Sequence, residues 1–381
     1  MEGSYTESKY SRSLIRWQIG CPPGKDAFST ELEVFAPQKW AIKRMDKIRR
    51  GFLWKGSEQV NGGHCLVNWM RVKRPNRLGG LGVLDLELFS RALRLRWLWY
   101  SWTEPERPWV GTEVPCNEID KQLFRACTRV TIGNGRKARF WESSWMDGRA
   151  PRDLAPRLYR LAWRKNITVR DDLENGRWTR GLWRMTTATE MAELVTLWTF
   201  VNEVQLVEIE DAITWTRDAA GIYTSKSAYN AQLAGSYCTF DAASIWKAKT
   251  EGKHRFFAWL LVQRKLLTAD KLMHVWFLVD RWTGGMIQIP DQTVGIEQWW
   301  NGSLLGLSKS VKREKATVMI YTTWNIWKER NRRIFEGTTA TPQRILALIK
   351  EEMKTRTVAM PNCFLINAYC TSVEFELFFI M

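Results

Sequence analysis

The sequence predicts a helix-rich α+β protein with short β-hairpins, organised as two or three loosely associated modules. Three observations carry that expectation. Apolar residues recur at helical spacing over several long stretches, glycine-containing turns flanked by β-favouring residues interrupt them, and charge falls in blocks of opposite sign. A chain of 381 residues is long enough to bury more than one core.

The elements follow in order. Residues 1–36 show no sustained periodicity, and Cys-Pro-Pro-Gly at 21–24 is loop chemistry. Pro37 opens a helix with Trp40, Ile42, Met45, Ile48, Phe52 and Leu53 near one face. Its other face carries Lys39, Lys43, Arg44, Lys47 and Arg50. After Gly62-Gly63, a strand-like run from Cys65 to Met70 leads to the turn-rich Pro75 to Gly82. A second helix is expected over Leu86 to Trp102, where Leu88, Ala92, Leu95, Trp99 and Trp102 repeat at helical spacing.

Val130 to Trp141 reads as a hairpin, because Asn134-Gly135 supplies the positive φ angles of a tight turn. A second hairpin is expected over Ala212 to Thr224, around Asp218 to Gly221, after which Thr224 or Ser225 caps a helix containing Ser227. Ile245 to Met273 predicts two short helices divided near Arg264. Lys312 to Phe335 predicts one helix through Ala316, Met319, Ile320, Thr323, Trp324 and Trp327.

Composition narrows the function classes. The formal net charge is +17, and there are 23 tryptophans. A strong positive balance attracts polyanions, nucleic acid first and an acidic membrane surface second. Tryptophan serves as core filler or as a stacking surface for bases, so its number alone decides neither. From Lys39 to Arg77 there are 11 basic and two acidic residues, and from Lys121 to Arg180 15 and six. Thr186 to Ile222 reverses the sign, with one arginine against seven acids, and Lys309 to Arg356 returns to a net +7.

The seven cysteines (Cys21, Cys65, Cys116, Cys127, Cys238, Cys363 and Cys370) are odd in number and never spaced C-x-x-C. That pattern argues against a disulfide framework and a zinc knuckle, and it fits a reducing compartment, nuclear or cytoplasmic. No basic-then-apolar leader opens the sequence. Leu365 to Met381 is partly apolar, but Glu374 and Glu376 interrupt it, and its 17 residues fall short of the ~20 that span a bilayer. It is expected to be a terminal strand, with no membrane partner.

Each candidate for chemistry has a plainer alternative. Asp171-Asp172 would need a third carboxylate to hold two Mg²⁺ ions; with Arg170 before it and Leu173-Glu-Asn-Gly after it, a solvated helix terminus is the better reading. Glu208, Glu210 and Asp211 sit in an amphipathic acidic stretch and are expected to form a solvated face. His64, His254 and His274 are far apart, and adjacent His64-Cys65 on a strand would point to opposite faces. Gly79-Gly80-Leu81-Gly82 lacks the lysine and hydroxyl of a phosphate loop. No nucleophile elbow is present.

The basic runs survive as candidates. Lys43, Arg44, Lys47, Arg49 and Arg50, then Lys73, Arg74 and Arg77, and separately Arg136, Lys137 and Arg139 could neutralise phosphates. Such contacts give salt-sensitive, sequence-independent binding, typically ~10⁻⁴ to 10⁻⁶ M. The alternative is a solvated basic face.

These motifs, in this order, resemble the region downstream of the polymerase in plant LINE-type (non-LTR) retrotransposon polyproteins. They begin with Pro37-Gln-Lys-Trp-Ala-Ile-Lys, Ile48 to Gly56, Val67-Asn-Trp, Lys73-Arg-Pro and Gly79 to Asp85. Ile132-Gly-Asn-Gly-Arg-Lys-Ala-Arg-Phe-Trp to Trp145 and Trp215 to Tyr229 come next. Ile245-Trp-Lys-Ala-Lys, Lys253 to Leu260, Leu266 to Leu272 and Trp324 to Glu336 close the series. The resemblance covers about 37–280 and 316–337. It divides the chain into an unassigned segment (1–36), a basic region (37–185), a truncated reverse transcriptase zinc-binding domain (186–282), an aromatic and basic helical region (283–337) and an unassigned tail (338–381).

What the resemblance implies is specific. Relatives follow Leu-Thr-Ala-Asp with Cys-x-x-Cys, a histidine and a further cysteine that bind zinc. This chain passes from Leu272-Met-His274 straight to Val275-Trp, and no cysteine lies between Cys238 and Cys363. His274 is at most a remnant ligand, so no cofactor and no metal-ligating set is expected. The polymerase palm and the endonuclease of relatives have no counterpart in these residues, and catalytic residues are expected to be none. The resulting expectation is a non-enzymatic remnant with residual, non-specific RNA or DNA binding. The alternatives are a domesticated protein-interaction module or a non-functional pseudogene product.

Overall fold

The computed structural model describes residues 38–56, 65–174, 177–266, 272–291 and 293–359. They form two compact units, one of residues 38–85 with 235–359, the other of 86–234. These borders differ from those drawn on charge and motif order. Residues 38–85 share a core with helices nearly two hundred positions further on, which charge blocks cannot reveal.

The first unit starts with α1 (Lys39–Lys55), closed by Gly56 in the left-handed conformation. Its buried residues are Met45, Asp46, Arg49, Gly51 and Trp54, whereas Trp40 and Phe52, placed on the apolar face by spacing, are 60% and 53% exposed. The core thus receives a charged pair along with Met45 and Trp54. The strand expected over Cys65 to Met70 is absent. Asn68 instead accepts from the Met70 amide and caps α2 (Trp69–Val72), whose Trp69 and Val72 enter the core. A side-chain cap at Asn68 outweighs the β preference of a short apolar run.

The second unit opens with α3 (Leu86–Thr103), where Ala92, Leu95 and Trp99 are buried as the periodicity predicts. α4 (Glu118–Cys127) begins on a reciprocal capping box between Asn117 and Asp120. Then follow β1 (Thr128–Thr131), the short helices α5 (Pro151–Leu154), α6 (Pro156–Leu161), α7 (Val169–Leu173) and α8 (Arg177–Arg180), and the longer α9 (Ala188–Glu203). β2 (Ala212–Trp215) pairs antiparallel with β1, Thr128 opposite Trp215 and Thr131 opposite Ala212. α10 (Ser225–Ala231) is capped by Thr224, one of the two residues expected to do so.

Neither expected hairpin forms. The chain bends at Asn134-Gly135, but only Gly135 takes a positive φ and the flanks do not pair with each other, and β2 meets its own downstream loop through one bond, from the Trp215 amide to the Gly221 carbonyl. The two strands pair with one another across some eighty residues instead. The fold is nevertheless helix-rich α+β, with one small antiparallel sheet among the described residues.

The chain returns to the first unit with α11 (Ala242–Lys247), α12 (Gly252–Val262), α13 (Met273–Trp282), α14 (Ile296–Leu304), α15 (Lys309–Asn331), a π-helical turn (Arg332–Glu336) and α16 (Pro342–Ala359). The break expected near Arg264 is present, with Arg264 itself at φ 58°. α15 packs against α11, α12, α13, α14 and α16. From Lys315 to Ile326 every residue is buried, as expected for a helix enclosed on all sides. Twelve of the 23 tryptophans are core residues, which settles most of them as filler rather than stacking surface. No helix among the described residues is long and apolar enough to cross a membrane.

Candidate nucleic-acid interface

In the first unit the basic run separates into two sets with opposite fates. Trp40, Lys43, Arg44 and Lys47 follow i, i+3/i+4, i+7 spacing and share the solvent face of α1. Met45, Asp46 and Arg49 lie on the opposite, buried face. Arg49 pairs with Asp46 at 3.0 Å and donates to the Leu84 carbonyl at 2.7 Å. Lys73 is equally enclosed, at 2.7 Å from Asp85 and 3.5 Å from Asp46. Arg49 and Lys73, named with the phosphate-binding candidates, therefore serve a buried ion-pair network and present no charge to solvent. Arg50 is half-buried with its guanidinium 5.8 Å from the Trp69 ring centre. Arg74 and Arg77 are exposed on the turn after α2.

Sequence reasoning missed Asp46 and Asp85 as the partners that draw these cations inward. A signal existed. Asp46 is the lone acid among seven basic residues of α1, three positions before Arg49. Gly79 and Gly80 form the turn that follows, where the Trp259 indole donates to the Gly79 carbonyl at 2.8 Å. This glycine loop is no phosphate cradle, and it is a buried, packed connection rather than the flexible turn that its composition suggests.

In the second unit Arg136, Lys137 and Arg139 stand on a loop folded around a single carboxylate. Asp211 is 7% exposed. One of its oxygens accepts the amides of Gly133 and Gly135 at 2.8 and 2.9 Å, the other those of Lys137 and Ala138 at 2.9 Å each. These four hydrogen bonds outweigh the cost of burial and hold the Asp211 carboxyl below the usual aspartate range. Asp211 thus departs from the solvated acidic face expected of it. Glu208 and Glu210 do stay exposed, pairing with Arg170 at 3.2 Å and Lys137 at 3.0 Å. Gly133 and Gly135 are required here. A Cβ on Gly133 would lie 2.1 Å from the Ile209 carbonyl oxygen, and Gly135 takes φ 67°. Arg136 is exposed, and the exposed Arg139 guanidinium donates to the Asn166 carbonyl at 3.2 Å.

The Asp171-Asp172 pair does sit at a helix terminus, where the Thr168 side chain caps α7 by accepting from the Asp171 amide. Asp171 is exposed, but Asp172 is 2% exposed, and burial pushes its carboxyl up to about 7. A carboxyl raised on folding favours the folded state while protonated, and that advantage fades as pH rises from about 4 through about 7. Asp172→Asn is therefore expected to raise the melting temperature more at pH 8 than at pH 5. Thermal melts at the two pH values check this, and an equal shift at both would count against it.

The histidines do not converge. His64 lies outside the described residues. His254 is buried in contact with Glu251 through its Nδ1 and against the Tyr321 and Trp324 rings, with centroids 5.0 and 4.8 Å away. Glu251, which also accepts the Tyr321 hydroxyl at 2.8 Å, is held at about 2. His274 is exposed near the start of α13.

Comparison with known proteins now bears on these residues. Residues 223–280, from Tyr223 through α10, α11 and α12 into α13, match the family described as zinc-binding in reverse transcriptase. A protein of Arabidopsis thaliana named as a ribonuclease H protein is 22% identical over 275 residues, covering 62% of this chain and 42% of that protein. The chain thus spans less than half the length of that relative. No solved structure matches. These likenesses support a retrotransposon-related sequence.

The zinc implied by the matched family does not fit the described residues. Cys238 is half-buried beside Gly79 and Phe240, His254 is committed to Glu251, and His274 stands on another helix. Among the described residues no three of His, Cys, Asp and Glu come together where they could hold a metal ion.

Proposed function

We propose that this chain derives from a plant LINE-type retrotransposon, has no catalytic site of its own, and binds RNA or DNA without sequence preference through exposed cations. The observation that carries the reading is the solvent face of α1, where Lys43, Arg44 and Lys47 flank the exposed Trp40 indole. Cations beside an aromatic ring suit a phosphate backbone with an accessible base. Arg74 and Arg77 in the same unit, and Arg136 and Arg139 in the other, supply further exposed positive charge. The non-catalytic part is supported by the carboxylates that looked most like metal ligands. Asp211 is committed to four amides, and Asp172 is enclosed.

A triple charge reversal, Lys43→Glu, Arg44→Glu and Lys47→Glu, is expected to weaken binding of a 20-nucleotide oligomer at least about tenfold at low salt. The slope of log affinity against log salt should fall by about three. Mobility shifts across a salt series measure both. Unchanged affinity and slope would remove the proposal's main support.

A second reading, a protein-interaction module, is favoured by one feature. α9 exposes Met191, Val195 and Trp198 at i, i+4, i+7 spacing while Leu197 and Val201 face its core. On that reading the triple reversal has no effect on partner binding, and Val195→Glu abolishes it.

A further inference from the structure

The second unit contains a cleft of about 840 Å³ that no sequence motif singled out. Its buried base includes Phe124, Val130 and Ser144, and half-buried Trp102, Trp109 and Tyr159 contribute ring surface. Six basic and three acidic residues line it.

The acids are mostly committed. Glu142 takes Arg125 at 3.1 Å and Arg152 at 2.6 Å, and also accepts the Tyr159 hydroxyl at 2.8 Å. Those bonds hold the Glu142 carboxyl below the usual range in spite of its burial. Glu118 takes the same two arginines, at 3.2 and 2.8 Å. Lys137 is paired with Glu210. Three lining cations then form no ion pair among the described residues: Lys121, Arg139 and Lys165. Glu113 is the one lining acid in the same condition. The Arg152 guanidinium and the Lys165 ammonium lie 4.4 and 4.8 Å from the Tyr159 ring centre and occupy that ring, whereas the Trp109 ring is held by Trp97, which it meets edge-on at 4.6 Å.

A concave site whose lining includes cations outside any ion pair and a half-buried indole matches one ligand chemistry best. We propose that this cleft binds a short run of single-stranded nucleic acid, with Lys121, Arg139 and Lys165 on phosphates and Trp109 beside unpaired bases. A duplex presents its phosphates on a convex surface and keeps its bases stacked inside, so it leaves the indole unused. A single strand offers both phosphates and open base faces. The cleft volume falls within the range of small-ligand pockets, which limits the contact to a few nucleotides.

The inference rests on the nucleic-acid reading above but adds a place and a preference for unpaired strands. The test uses the full chain with a fluorescent 12-nucleotide oligothymidine, a 12-nucleotide oligouridine and a 12-base-pair duplex. The wild type is expected to bind the single strands at least about tenfold more tightly than the duplex. Lys121→Glu with Lys165→Glu should weaken single-strand binding at least about tenfold, lower its salt slope by about two and leave duplex binding within about twofold. Trp109→Ala should weaken single strands about five- to a hundredfold without changing the salt slope. Circular dichroism of each variant separates lost contacts from lost fold, and the lysine pair on the cleft lining keeps the test valid if Trp109→Ala unfolds. Equal binding of duplex and single strand, with affinity insensitive to the lysine pair but abolished by the α1 triple reversal, overturns the cleft and leaves the α1 interface standing. Absence of binding to any probe at low salt overturns both.

Discussion

Replacing Asp211 with alanine is expected to destabilise the second unit by roughly 3–5 kcal/mol, as measured by urea denaturation followed by circular dichroism. Four backbone amides lose their acceptor at once, and Gly133, Gly135 and Ala138, which carry three of them, are buried. An unmade buried hydrogen bond costs about 1–3 kcal/mol, and water entering the emptied site recovers part of the total. Whole domains are stable by only about 5–15 kcal/mol, so the loss is large. Asp211→Asn keeps one acceptor oxygen and should show about half the effect.

The pH dependence has a definite sign. The folded carboxyl lies below its ordinary value of 3.8, so its contribution is complete above that value and is lost as pH falls through the lower folded one. The wild type should therefore lose stability more steeply than Asp211→Asn between about pH 4 and 2. A stability of Asp211→Ala within about 1 kcal/mol of wild type would mean that the loop does not depend on this clamp.

Asp211 also shows where the sequence was legible and where it was not. Asn134-Gly135 does mark a change of direction, but only Gly135 takes the positive φ that a two-residue hairpin turn needs at both positions. What a local pattern cannot show is the partner. The amides around the turn go to a carboxylate more than seventy residues away, and the strand before it pairs with residues 212–215. Helices were read more faithfully, because their hydrogen bonds and side-chain period are local: α3, α10 and α15 start or end close to where spacing and caps place them. α1 was located correctly, yet its buried face was misjudged. Period analysis weighs Trp40 and Phe52 as core, yet both are exposed, and Arg49, counted with the phosphate-binding cations, is drawn inward by its pairing with Asp46. The same limit hid the cleft. Lys121 and Lys165 are ordinary surface lysines in sequence, and only the fold brings them to the rings of Trp109 and Tyr159.

Asp46→Ala is expected to cost about 3 kcal/mol, because it removes the carboxylate that Arg49 meets at 3.0 Å and one of the two that Lys73 meets. Breaking a buried pair leaves an uncompensated charge in a poorly solvating place, whereas removing the whole set together is far less damaging. The combined variant Asp46→Leu, Arg49→Met, Lys73→Met and Asp85→Leu should accordingly lie closer to wild type than Asp46→Ala does, and a larger loss in the combined variant would contradict this account. The consequence reaches the interface. Reversing Arg49 would abolish nucleic-acid binding by damaging the fold, and that result would look like a lost phosphate contact. Asp46→Ala separates the two. At a temperature where it is still folded, it should bind oligonucleotide with wild-type affinity and salt slope, because Lys43, Arg44 and Lys47 project from the opposite face of the same helix. If Asp46→Ala lost affinity while circular dichroism showed it folded, the buried network would be part of the binding surface, and the division of α1 into a structural and an interacting face would be wrong.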